Sequence, residues 1–77
     1  MQYRLDLQEV RKKLKEFGYD YEIPAGNSRV ETWSRDNRYV WYTAYDSKNL
    51  CSHLNVLDCY TQRRWSILNP DDLLKLK

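Results

Sequence analysis

The stretch from Arg29 to Tyr45 constrains this chain most. It holds two of the three Trp and three of the seven Tyr. Two runs rich in β-branched and aromatic side chains, Val30 to Ser34 and Tyr39 to Tyr45, flank Arg35-Asp36-Asn37-Arg38. Such side chains suit a pleated, half-buried surface. Asp and Asn favour turns because their short polar side chains bond nearby backbone and tolerate positive φ. The stretch therefore reads as a β-hairpin. Its second run has a two-residue period, with Tyr39, Trp41, Thr43 and Tyr45 on one face and Val40, Tyr42 and Ala44 on the other. Val40 and Ala44 are small and apolar, which assigns their face to the core and leaves Tyr39, Trp41 and Tyr45 together opposite. The greater bulk of Trp41 argues for the reverse assignment. In both cases the two faces carry aromatic bulk, so the sheet is either covered on both sides or shows an aromatic face to a partner.

The clearest source of cover lies before the hairpin. Asp6 reads as an N-cap with Glu9 as its reciprocal partner, and Leu5 and Val10 as the hydrophobic staple. Leu7, Val10, Leu14 and Phe17 recur at helical spacing, and Gly18 suits the left-handed position that ends a helix. A helix over Leu7 to Phe17 follows. Its polar face carries Arg11, Lys12, Lys13 and Lys15 with Glu9 and Glu16. That cluster reads as a solvated face, with a phosphate-contacting face as the alternative.

Residues 1–4 read as a frayed start, or as part of a short edge strand from Gln2 to Leu5. Tyr19 to Ile23 alternates as a short strand, and Pro24 to Ser28 is the strongest turn in the chain. Beyond the hairpin, residues 46–52 read as a turn or single helical turn, followed by a strand from Leu54 to Thr61. A helix through Leu50, Leu54 and Leu57 is the competing reading. Gln62-Arg63-Arg64 then connects to a last strand, Trp65 to Leu68. Asn69 as cap, Pro70 at the first helical position and Asp71-Asp72 in the first turn start a short C-terminal helix. The sum is one α+β domain over residues 1–77: an N-terminal helix packed on an antiparallel meander of four to five strands, with a short C-terminal helix.

Chemistry is scarce. Cys51, His53, Asp58 and Cys59 are the only residues that resemble a reactive cluster. Cys-x-His-x5-Cys matches no usual zinc spacing and a fourth ligand is not evident; a Cys–His nucleophile would need a third, orienting group. Paired carboxylates for acid–base work are missing, since Asp71 and Asp72 already serve a helix start. No catalytic residue, metal or cofactor is implied, and the chain does not read as an enzyme. No apolar run approaches the roughly 18 residues of a membrane span, no signal-peptide h-region opens the chain, and two Cys fit reduced thiols in a cytoplasm.

What remains is binding. Arg and aromatics interleave: Arg29, Arg35 and Arg38 surround Trp33, Tyr39 and Trp41, while Arg63 and Arg64 abut Trp65. Tyr, Trp and Arg are the types enriched at interface hot spots. The expectation is a small non-catalytic module that occupies a partner macromolecule through the hairpin, with Trp41, Tyr39 and Trp33 as anchor and Tyr45, Arg35, Arg38, Arg63 and Arg64 around them. The net charge of +2 tips the partner toward protein. A nucleic-acid regulator using the same arginines and the helix cations is the alternative. A homodimer that buries the aromatic face against itself would satisfy the same pattern. Lone domains of this size are often regulators or inhibitors, including ones encoded by phages and mobile elements.

Overall fold

Helix α1 begins where its cap requires. The computed structural model describes residues 5–22 and 29–77. Within them, α1 spans Leu7–Glu16, and the Asp6 carboxylate accepts the Glu9 N–H at 2.9 Å. Lys13 and Lys15 fall in the last turn, where cations oppose the helix dipole. Gly18 follows at φ +86°, the left-handed conformation that glycine adopts without a Cβ clash. Leu7, Val10 and Leu14 are fully buried, and Phe17 packs half-buried beside them. Each buried aliphatic contributes about 1.5–3 kcal/mol relative to exposure.

Among the described residues seven strands follow the alternation of the sequence: β1 Leu5–Asp6, β2 Asp20–Glu22, β3 Val30–Arg35, β4 Arg38–Tyr45, β5 Leu50–Cys51, β6 Leu54–Asp58 and β7 Arg63–Ile67. All pairings are antiparallel. The order β2-β3-β4-β6-β7 makes one sheet, while β5 pairs β4 further along and carries β1 on its other side. The hairpin is tighter than its sequence suggests. Arg35 pairs with Arg38 across the ladder, which leaves only Asp36 and Asn37 as the turn, and Asp36 takes φ 52°.

β5 and β6 are one strand interrupted by a bulge. Cys51 lies opposite Ala44 and Asn55 opposite Trp41, so the β5–β6 side contains one more residue than β4. Ser52 fills the gap: its N–H donates to Thr43 O at 2.9 Å, and its hydroxyl accepts the Thr43 N–H at 3.0 Å. The helix considered through Leu50, Leu54 and Leu57 does not form. A single 3₁₀ turn, Asp46–Lys48, precedes the strand instead.

The last strand starts earlier than its apolar residues indicate. Arg63 and Arg64 belong to β7, because the turn is made upstream by residues 59–62, with Gln62 at φ 57°. Asp58 caps that turn by accepting the Tyr60 and Thr61 N–H groups, each at 3.0 Å. The chain closes with a 3₁₀ helix, Pro70–Leu76, that buries Leu73 and Leu76 in the same core as α1. Leu68, expected as the last residue of that strand, stands outside it and exposed. The turn expected over 24–28, with Ile23 and the first four residues, lies outside the described residues. No described helix is long and apolar enough to cross a membrane.

Cys51 sits in this core while Cys59 is exposed, and neither is in a disulfide. Burial, with the negative charge of Glu31 and Asp6, pushes the Cys51 thiol up to about 12. A thiol reagent at neutral pH should consume one thiol per native chain, at Cys59, and the second only in denaturant. Equal labelling of both in the native state would contradict the packing.

Candidate functional site

Residues paired across a ladder share a face of the sheet. One row is Trp33, Val40, Val56 and Trp65, with Tyr21 at its β2 end. The next, on the same face, brings together Glu31 and Tyr42, with Leu54 and Ile67 alongside. Helix α1 and the C-terminal 3₁₀ helix cover this face, and its centre is closed: Trp33 is 2% exposed and Val40 0%.

The opposite face carries Val30, Thr32, Tyr39, Trp41, Thr43, Tyr45, Leu50, Asn55 and Leu57 by the same registers. No described helix or strand lies over it. None of these residues is fully buried; Val30 and Tyr39 are each 39% exposed, and Trp41 and Leu57 are half-buried. Charge is confined to the margins. Asp20 and Glu22 border it at β2 and Arg64 at β7, and the Arg29 guanidinium lies 5.1 Å from the centre of the Tyr45 ring. Thr32, Thr43 and Asn55 intersperse hydrogen-bonding groups among the apolar ones.

The eight residues expected to bind are thus divided by the sheet. Tyr39, Trp41 and Tyr45 are together on the open face, with Arg64 at its rim. Trp33 is not with them. It lies in the core, its Nε1–H donating to the Tyr42 hydroxyl at 2.9 Å, under the Tyr21 ring 5.1 Å away. The two-residue pattern could have shown this, because Trp33 pairs with Val40 and must point as Val40 does.

Arg35 and Arg38 do not stand free at the hairpin turn. Arg35 donates to Phe17 O at 2.6 Å and Lys77 O at 3.0 Å, with its guanidinium 4.5 Å from the centre of the Tyr19 ring. Arg38 donates to the Asp58 carboxylate at 3.2 and 3.4 Å, to the Tyr19 hydroxyl at 3.3 Å and to Leu76 O at 3.2 Å, and it lies over the Trp65 ring. Both therefore bind carbonyl groups left over at helix ends. Arg63 is on the helix-bearing face at the margin, exposed.

Beneath the open face, a polar chain crosses the core. The Tyr42 hydroxyl donates to Glu31 Oε1 at 2.7 Å; Arg11 grips both Glu31 oxygens and also Asp46, at 2.9 Å. Glu31 is only 6% exposed, yet no buried side-chain polar atom among the described residues lacks a partner. Burial, then the Glu31 carboxylate, raises the Tyr42 phenol well above its usual range. The hydrogen bond to Glu31 raises the Arg11 guanidinium against burial. Sequence reading missed this network, since nothing local marks Glu31 as buried. Its role is to fix α1 to β3 and β4.

Cys51, His53, Asp58 and Cys59 do not converge. Cys51 is buried, His53 and Cys59 are exposed, and Asp58 is engaged by Arg38 and the turn. No group of three or more His, Cys, Asp or Glu side chains able to hold a metal occurs among the described residues. The Asp58 carboxyl is held below its usual range, first by the Thr61 N–H and further by Arg38 and the Tyr60 N–H. A depressed carboxyl adds stability above its unfolded value, near 3.9, and loses it as pH falls through the lower folded value. Melts of the wild type should therefore lose a component below about pH 4 that Asp58→Asn lacks. Identical acid limbs would disprove it.

Compared with family models, curated proteins and solved structures, the chain matches none.

Proposed function

We propose that this protein is a small non-catalytic binding module that docks a partner protein on the face of its sheet that no described helix covers. One observation carries the reading. Helix α1 and the C-terminal 3₁₀ helix lie on the same side, so Tyr39, Trp41, Tyr45, Leu50, Leu57 and Val30 form an apolar, partly exposed surface with charge only at its edges. A charge-poor aromatic centre with a mixed polar rim is the composition of a protein interface. A phosphate backbone needs cations across the contact, and Arg35 and Arg38 already hold main-chain carbonyls. Trp41 is the anchor, Tyr39 and Leu57 flank it, and Arg64 belongs to the rim. The module acts by occupying its partner's surface, as a regulator or inhibitor does. Its unpaired thiols suit a cytoplasmic setting.

The test compares affinity columns carrying the wild type, Trp41→Ala, Leu57→Lys and, as a control on the outer helix face, Lys12→Ser. A protein retained by the wild type and the control, and lost from both open-face variants while their circular dichroism stays native, supports the reading. Identical retention on all four columns rejects it. Binding of a generic oligonucleotide that falls steeply with salt would shift the function to nucleic acid. A Trp41→Ala chain that fails to fold would remove Trp41 as anchor, and Leu57→Lys then decides the rest.

A further inference from the structure

We infer that the outer edge of β7 accepts an acidic extended peptide segment as an added strand, with its acidic side chains in the basic cleft beside that edge. This site is distinct from the open face. β7 pairs only with β6, and no described strand lies on its other side. A five-residue edge presents main-chain donors and acceptors over about 16 Å, a ready template for strand addition.

The surroundings of the edge select the sign of the ligand. A cleft of about 830 Å³ lies between β7 and the C-terminal 3₁₀ helix. Arg63 and Arg64 come to it from the edge, and Lys75 from the helix. Arg63 and Arg64 have no ion pair among the described residues, whereas Lys75 has a contact of 3.7 Å with Asp72. Asp58 is the one acid of the cleft, and Arg38 neutralises it at 3.2 Å. The cleft therefore holds two cations without an ion pair, Arg63 and Arg64, beside Lys75, and offers an unpaired strand edge. Side chains of an added strand alternate between faces. Those on the helix side would meet Arg63 and Lys75; those on the other would meet Arg64 and Ser66 at the rim of the open face. The ligand is thus an extended segment rich in acidic residues, of which an alternating acidic and apolar peptide is the simplest form.

The alternatives fit less well. A second copy pairing β7 to β7 would set Arg63 and Arg64 against their own duplicates, and like charges across a ladder are destabilising. The acidic edge β2 of another copy, Asp20–Glu22, is only three residues long. For a stacked base, the Trp65 ring is already covered by the Arg38 guanidinium, 5.1 Å from its centre.

The probe is an alternating Glu-Val peptide of eight residues, titrated into the ¹⁵N-labelled protein. Three comparators are used: an alternating Lys-Val peptide, the Glu-Val peptide N-methylated on alternate residues, and an eight-nucleotide oligothymidylate. Binding should slow amide exchange in β7 and be weakened about tenfold or more by Arg63→Glu with Arg64→Glu. The N-methylated peptide should bind far more weakly, because strand pairing needs its N–H groups. Arg63→Gln, a milder change, guards against misfolding of the double variant. Trp41→Ala should leave this binding intact. The inference falls if the Glu-Val peptide perturbs no β7 amide at low salt, or if the N-methylated peptide binds equally. It also falls if oligothymidylate binds more tightly than the peptide, or if light scattering shows the unliganded edge already filled by another copy.

Discussion

Trp33→Ala should lower stability by about 3–5 kcal/mol, the cost of removing a large aromatic from a closed core. In a domain this size each kcal/mol moves the melting temperature by roughly 4–8 °C, so a fall on the order of 20 °C is expected. The effect has two sources. The indole fills the row between Tyr21 and Val40 at 2% exposure, and its Nε1–H completes the chain that runs through Tyr42 and Glu31 to Arg11. Trp33→Phe separates them. It keeps most of the volume and removes only the donor, which should cost about 1 kcal/mol. Thermal melts followed by circular dichroism measure both. Trp41→Ala is the contrast, because Trp41 is half-buried on the open face. If Trp33→Ala cost no more than Trp41→Ala, the assignment of the two faces would be reversed.

Arg38→Ala should cost about 2–3 kcal/mol, with its first effect at the far end of the chain. One guanidinium serves the Asp58 carboxylate, the Tyr19 hydroxyl and the Leu76 carbonyl, and its plane covers Trp65. These partners come from β6, from the segment after α1 and from the C-terminal 3₁₀ helix. Without Arg38, amides of residues 70–77 should exchange faster than those of β3 and β4. Arg38→Lys should not restore protection, because an ammonium lacks the planar fork that reaches several acceptors at once. Unchanged exchange at residues 70–77 in Arg38→Ala would show that Leu73 and Leu76 hold that helix alone.

Local patterns carried much of this architecture. The cap at Asp6, the stop at Gly18 and the alternation of β4 each depend on residues close in sequence, and each could be read there. The division of the site was only partly legible. Tyr39, Trp41 and Tyr45 were grouped correctly because they lie on one strand, two residues apart. Trp33 was not, because its direction depends on the register of the hairpin, and that register depends on whether the turn takes two residues or four. Arg35 and Arg38 presented the opposite problem. At a turn they read as free cations, but their acceptors are Phe17, Leu76 and Lys77, far away in the chain. The bulge at Ser52 was hidden for a similar reason: it exists only relative to β4.

The Tyr19 hydroxyl donates to the Leu76 carbonyl at 2.7 Å across 57 residues. Seen from the ribosome, that bond sets an order of events. Helix α1 and the hairpin precede β7, but the carbonyls that seal their shared edge, those of Leu76 and Lys77, follow it. A nascent chain halted after β7 would hold Arg35, Arg38 and Tyr19 without the Leu76 and Lys77 carbonyls, and its core without Leu73 and Leu76. The core that α1 and the hairpin share is therefore not closed until residues 70–77 have followed β7 out.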